Sequence, residues 1–428
     1  MTTDLKAINH ILFNSYDYQK PDTVTGSYTI RQLFGNGVLA VEGDVHKHQN
    51  PAFGPQQIRE LTEVFVEKAL ELRDIWSTEI AKHDGVGPIE CLSWISRTTL
   101  DIIGLAGFNY NFNASTSDPE KNALMKSFST IFKAGAKPSI IPILKAMYPP
   151  LCFLPAPNDA ATKKPSAVMR HIGSDLLKQS KASHEDDKGI KSSGRKDILS
   201  LLVQANAMQD LPEVQRMSDE DVLAQIPTFL IAGHETTSVA MAWALYSLTQ
   251  NKQAQTKLHD LNGLPHLDAV VRETLRLQPP VPSTIRAAKK DDCMPLSKPF
   301  TDRTGDCYYI LNLPLWDRVR KGQTIVAPID LFKPERWANI PDVATSVPGV
   351  WANILTFIGG SRACIGYRFS LLEIKTLLFT LVRAFEFDLA VSAKDMGTKS
   401  IGIQRPVLLT DPNNSNQMPL LVRPITSL

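Results

Sequence analysis

The stretch Phe357-Ile-Gly-Gly-Ser-Arg-Ala-Cys-Ile-Gly366 places one thiol in a glycine-rich turn, with an arginine two positions before it. Glycines 359, 360 and 366 let the backbone turn tightly and approach a flat group closely. An amphipathic helical pattern follows, so Cys364 lies where free N–H groups and the positive end of a helix favour a thiolate. Arg362 is a cation suited to a carboxylate, and Phe357 offers an apolar face near the sulfur. A lone cysteine is more often a small core residue. In this spacing, a thiolate that binds metal is the stronger reading.

Two further constellations carry chemistry. Ala232-Gly-His-Glu-Thr-Thr237 sets an acid beside a hydroxyl in the middle of a long helical pattern. With Gly233 allowing the helix to open locally, Glu235 and Thr236 could relay protons. His234-Glu235 also begins a zinc-type HExxH, but Ser238 stands where the second histidine is needed, so that metal reading fails. Glu273-Thr-Leu-Arg276 puts an acid and a base on one helix face, by itself an ordinary ion pair.

At every fixed position the Cys364 loop resembles F-x-x-G-x-R-x-C-x-G, the cysteine-ligand loop of the cytochrome P450 family. Ala232–Thr236 resembles that family's oxygen-binding groove, and Pro334-Glu-Arg-Trp337 its P-E-R-F/W segment. The resemblance implies an iron of haem b ligated by Cys364, with Arg362, Arg286, Phe357, Gly360 and Gly366 around the cofactor. It further implies Thr236 bonding the oxygen adduct, Glu235 delivering protons, and Arg336 closing a structural cluster with Glu273 and Arg276. A thiolate opposite oxygen donates electron density to iron and favours O–O cleavage.

These residues need a scaffold, which periodicity outlines. Helical spacing of apolar residues dominates the first two-thirds, over Ile58–Ala81, Cys91–Ile103 and Asp197–Ala207. The longest helix is predicted from Ser218, where Ser218 and Asp221 form a capping box, to about Gln250, interrupted at Pro227 and Gly233. Lys178–Lys196 reads as an exposed charged loop, CYYILNL and TIVAPI as short strands, and Arg368–Phe385 as a closing helix. The fold class is mainly α with a minor β portion, expected as one catalytic domain over 1–428, lacking the family's anchor, first helix and first strands.

Lys+Arg 46 against Asp+Glu 44 gives no basic excess, so nucleic acid is not an expected partner. Five scattered cysteines without a CxxC pair exclude a zinc ribbon and a disulfide framework, and point to an intracellular, reducing setting. No stretch reads as a signal peptide or membrane span; full-length relatives are expected at the endoplasmic reticulum membrane.

The chain departs from the family pattern in places. Asn50 stands where an arginine is expected four residues after His46, and His46 and His48 read as surface residues. The segments Asn251–Arg272 and Ile329–Lys333 are short, as though internal pieces were missing. Resemblance implies a monooxygenase of an apolar substrate, with electrons from an NADPH-dependent flavoprotein reductase. Tyr28–Val38, Phe128–Leu154, Gln225–Ala232, Val281–Thr284 and Ile401–Ile403 would bound that substrate. The alternative is a non-catalytic remnant that keeps the motifs without binding haem productively. An enzyme that rearranges peroxides is disfavoured by Glu235 and Thr236.

Overall fold

A computed structural model describes residues 4–21, 36–48, 54–116, 126–127, 130, 157–186, 197–207, 218–259, 264–301, 307–313, 318–320, 332–413 and 415–425. Asn50, TIVAPI and nearly all of the predicted substrate segments 28–35 and 128–154 lie outside them.

The element that organises the rest is helix α8, Asp219–Gln250, preceded by α1 (Leu5–Phe13), α2 (Gly43–His48), α3 (Pro55–Glu60), α4 (Thr62–Ala81), α5 (Cys91–Phe108), α6 (Pro157–Asp186) and α7 (Ile198–Ala207). Ser218 caps α8 as expected: its hydroxyl accepts from Asp221 N–H (3.1 Å) while Asp221 Oδ2 accepts from Ser218 N–H (3.0 Å). Asp219, Glu220 and Asp221 place negative charge at the positive end of the helix. Past the first turns nearly every face is buried, since Ile226, Leu230, Val239, Met241, Leu245 and Leu248 point in several directions around the axis. Helices α9 (Lys252–Lys257), α10 (Leu264–Leu277) and α11 (Tyr367–Ala384) complete the helical body.

Contrary to the sequence reading, α8 is continuous through Pro227 and Gly233. Proline removes one internal bond, but burial of the flanking turns holds the helix together. Gly233 serves a different purpose from the expected opening. A Cβ there would lie 2.9 Å from Ile103 Cγ1 and 3.0 Å from Cδ1 on α5, so the glycine lets the two helices approach. Gly233→Val should therefore cost about 1–3 kcal/mol by overpacking. The loss should shrink in an Ile103→Val background, measured as a double-mutant cycle on the thermal midpoint; equal losses in both backgrounds would show that Ile103 is not what the glycine accommodates.

The expected charged loop is also partly wrong, because α6 runs on to Asp186 and takes Lys178–Asp186 into helix. The reason is compositional: Lys, Gln, Ala and Glu are good helix formers and extend a helix already nucleated. The periodic segments Cys91–Ile103 and Asp197–Ala207 fall in α5 and α7, the latter from Ile198, while Ile58–Ala81 is divided at Leu61 between α3 and α4. Asp4 caps α1 by accepting from Lys6 and Ala7 N–H, and Glu90 caps α5 from Ser93 N–H. Asn109, at φ 50°, ends α5 in the left-handed region that asparagine tolerates.

The strands form small antiparallel sheets. β1 (Tyr18–Gln19), β3 (Ile285–Ala288) and β6 (Arg318–Arg320) make one, with β3 central. In a second, β10 (Pro419–Pro424) lies between β2 (Gly87–Glu90) and β7 (Phe385–Leu389). Two hairpin pairs remain, β4 (Asp292–Thr301) with β5 (Cys307–Leu313), and β8 (Met396–Ile401) with β9 (Ile403–Leu408). One large core joins α4, α5, α8, α10, α11 and the second sheet, with Trp76, Phe385 and Phe387 stacked edge-wise inside it. No helix among the described residues is long and apolar enough to cross a membrane.

Candidate active site

The Cys364 loop is held by its backbone and by α1. Cys364 N–H donates to Phe357 O (2.8 Å) and Val350 N–H to Ile358 O (2.9 Å), folding the loop back on itself. Ile358 adopts φ 56° and Gly360 φ 69°. For a β-branched residue that conformation is strained, so the surrounding packing must enforce it. At Gly360 a Cβ would meet Leu12 O at 2.3 Å, which is why α1 can rest against the loop. Phe357 is buried between Trp351 and Tyr367, with ring centroids 5.9 and 6.1 Å away. Gly366 caps α11, with open space where a Cβ would project.

Cys364 keeps an accessible side chain yet sits deep in the fold. That depth pushes its thiol up to about 11, and only the Gly366 N–H pulls the other way. Iron bound at the sulfur would favour the thiolate.

Arg362 and Arg286 do come together, and the structure adds partners that motif reading missed. Arg362 pairs with Glu42 and donates to Val41 O (2.6 Å). Its Nη1 is buried and has no hydrogen-bond partner among the described residues. Arg286, on β3, donates to Thr284 Oγ1 (2.6 Å) and Ile285 O (3.0 Å). Burial draws Arg286 down to about 10, with Glu42 opposing the drop and Arg362 adding to it. Lys20 Nζ donates to Leu39 O (2.6 Å), and burial, with Arg362 and Arg286 nearby, lowers it to about 8. His46, expected at the surface, is buried against this group, and burial with Arg362 and Lys20 brings it down to about 4. Three cations thus converge near one carboxylate, with a guanidinium nitrogen unsatisfied. That is a donor set with capacity for further carboxylates.

The Glu273 cluster assembles as expected and is larger. Glu273 is fully buried, and its two oxygens accept from Arg276 Nε and Nη2 (2.9 Å each) and from Arg336 Nε (2.9 Å). Lys333 N–H (2.9 Å) and Trp337 Nε1 (3.2 Å) also donate to it, fastening the Pro334–Ala338 turn to α10. The Arg272 guanidinium lies over Trp337 and Trp351, and Thr356 donates to Leu275 O (2.7 Å). The cluster therefore braces the chain leading into the Cys364 loop.

On α8, Thr236 Oγ1 donates to Ala232 O (2.6 Å). Burial alone would push the Glu235 carboxyl up, but His234 and Arg405 outweigh it and hold the group at about 2. Arg405, on β9, was not foreseen; its only sequence signal is that it lies two residues beyond Ile403 on one strand face. Of the segments expected to bound a substrate, Val38 reaches α8, where its N–H donates to Gln225 Oε1 (2.9 Å). Among the described residues no group of three or more His, Cys, Asp and Glu is placed to hold a metal ion.

The family model for cytochrome P450 matches residues 1–295 and 329–413, leaving 296–328 unmatched. The chain is 45% identical to cytochrome P450 monooxygenase 205 of Postia placenta, covering 99% of this chain and 83% of that protein. It is 44% identical to monooxygenase 128 of the same fungus, again over 99% of this chain and 83% of the relative. Ganoderic acid synthetase of Ganoderma lucidum is 31% identical over 91% of this chain and 79% of its own length. The first alignment spans 460 residues against a chain of 428, so this sequence carries gaps relative to that protein. With its Cys364 loop, oxygen-groove motif and Glu-Arg-Arg cluster in place, the chain belongs to the cytochrome P450 family of oxygen-incorporating oxidoreductases.

Proposed function

We propose that this chain is a single catalytic domain that holds haem b through Cys364 and inserts one atom of dioxygen into an apolar organic substrate. The carrying observation is Cys364 in its strained loop beside a cation group whose Arg362 Nη1 lacks a partner. Arg362, Arg286 and Lys20 would take the carboxylates of the cofactor, with Phe357, Gly360 and Gly366 along its face. Bound haem supplies the iron at which dioxygen is activated.

The reaction consumes dioxygen, two electrons and two protons; one oxygen atom enters a C–H bond as hydroxyl and the other leaves as water. NADPH provides the electrons through a flavoprotein reductase. The residues of α8 handle the protons. Thr236 presents a hydroxyl that would bond the oxygen adduct, and Glu235 is the acid that would deliver protons to it. Substrate lies among Gln225–Ala232, Val281–Thr284 and Ile401–Ile403. Its apolar character is supported by Phe229 and Ile403, both apolar side chains of these segments.

The test is the reduced, carbon monoxide-treated spectrum of the purified chain, followed by turnover under isotopically labelled dioxygen. A thiolate-type band and one labelled atom in the product are expected. Soluble protein that purifies without haem would instead identify a non-catalytic remnant.

A further inference from the structure

The β8–β9 hairpin touches α8 at two places. It turns at Gly402, φ 73°, between Ile401 and Ile403. Gln404 fixes it in space: its N–H donates to Pro280 O (2.8 Å), its carbonyl accepts from Trp243 Nε1 (3.1 Å), and its side chain donates to Gln278 Oε1 (2.5 Å). Strand alternation then sends Ile403 and Arg405 to the opposite face from Gln404. There Arg405 donates to a single oxygen of Glu235, through Nε (3.1 Å) and Nη2 (2.8 Å) to Oε2. Both side chains are largely removed from solvent, at 7% and 14% exposure.

The two carboxylate oxygens have different neighbours. Oε2 is clamped, while Oε1 lies 3.5 Å from His234 Nε2. His234 Nδ1 is 2.7 Å from Leu230 O, so that nitrogen carries its hydrogen toward the carbonyl. From α5, Thr99 Oγ1 donates to the His234 carbonyl (3.2 Å). The charged or titratable groups acting on Glu235 are therefore His234 on its own helix and Arg405 on the hairpin.

We propose that Arg405 is a positioning residue for the oxygen groove: by gripping one oxygen of Glu235 it ties the proton-handling acid to the hairpin whose tip, Ile401–Ile403, bounds the substrate. This inference rests on the oxygenase reading above. Its consequence is that the hairpin's placement and the acid's orientation change together. A displaced hairpin releases Oε2 into a buried setting with no guanidinium. An acid so released misdirects protons, and electrons leave as hydrogen peroxide (dioxygen plus two electrons and two protons) instead of reaching product.

The test uses Arg405→Gln and Arg405→Lys in the haem-loaded enzyme with its reductase, and Glu235→Gln as the partner variant. Arg405→Gln should keep the thiolate-type carbon monoxide band. Its product per electron should fall toward the ~100-fold loss that misplacing a catalytic group carries, with peroxide rising to match. The Glu235 carboxyl should move up from its native value in this variant, because the guanidinium no longer opposes burial, while His234 still holds it down in part. Arg405→Lys keeps the charge without the two-nitrogen grip and should recover the pH profile more than the product yield.

A second readout does not involve turnover. In the native chain Glu235 sits below its ordinary value of 4.5, so the pair's stabilisation is present above that value and is lost as pH falls toward about 2. The melting-temperature gap between native and Arg405→Gln chains should thus widen from acid to neutral pH, and close in a Glu235→Gln background. An unchanged peroxide fraction and pH profile in an active Arg405→Gln enzyme would overturn the proposal. So would a melting gap indifferent to Glu235. If the native chain forms no labelled product, the oxygenase reading falls, while the melting experiment still judges the Arg405–Glu235 tie.

Discussion

Cys364→Ala should remove the thiolate-type carbon monoxide band completely, and Cys364→His should shift it to the position typical of histidine ligation. The sulfur is the only soft donor that the loop presents, and the loop spends backbone strain at Ile358 to present it. Iron at the sulfur would take the place of the thiol proton. The variants should remain folded, since Cys364 closes its turn through backbone N–H to Phe357 O and not through its side chain. Circular dichroism checks that part. A thiolate-type band that survives in Cys364→Ala would place the ligand elsewhere. Among the described residues the other cysteines are Cys91, buried at the start of α5, and Cys293, exposed on β4.

Glu273→Ala should be the most destabilising single change in the scaffold, at about 3–5 kcal/mol. The cost does not come from the lost ion pairs as such, because a buried pair is close to neutral against an apolar substitute. It arises because Arg276 and Arg336 are left facing a hole of their own charge, while the Lys333 N–H and the Trp337 indole lose their acceptor. Glu273→Gln keeps one acceptor oxygen and should cost less. Denaturant unfolding measures both, and the alanine chain should also lose haem faster, because the turn it releases leads through Trp351 and Thr356 into the Cys364 loop. Equal stability of native and alanine chains would mean that the cluster is not the brace.

Motifs of fixed spacing were legible in the sequence, and so were helix starts that depend on neighbours, such as Ser218 with Asp221. What stayed hidden depends on distant parts of the chain meeting. Glu42 and Lys20 look like ordinary surface residues until α2 and β1 are brought beside Arg362, more than 300 positions later. His46 read as exposed for the same reason: the cations that desolvate it lie on other elements. Pro227 and Gly233 read as breaks by propensity, which speaks for isolated helices, whereas α8 is held by packing on most of its circumference. Arg405 had no motif at all, and only the register of β9 against α8 shows its target.

The sheet β2–β10–β7 has a consequence for how the molecule is made. Its middle strand, Pro419–Pro424, is the latest of the three in the chain, pairing with Gly87–Glu90 on one side and Phe385–Leu389 on the other. During synthesis, residues 87–90 wait with both edges open until residue 424 has emerged, more than 300 positions later. At about 5–20 residues per second that is an interval of tens of seconds in which a ribosome-bound chain exposes unpaired backbone. A nascent chain stalled before Pro419 would lack the centre of the sheet instead of an edge. Chaperone demand in the cell should therefore track the speed of translation over the whole stretch between Glu90 and Pro419.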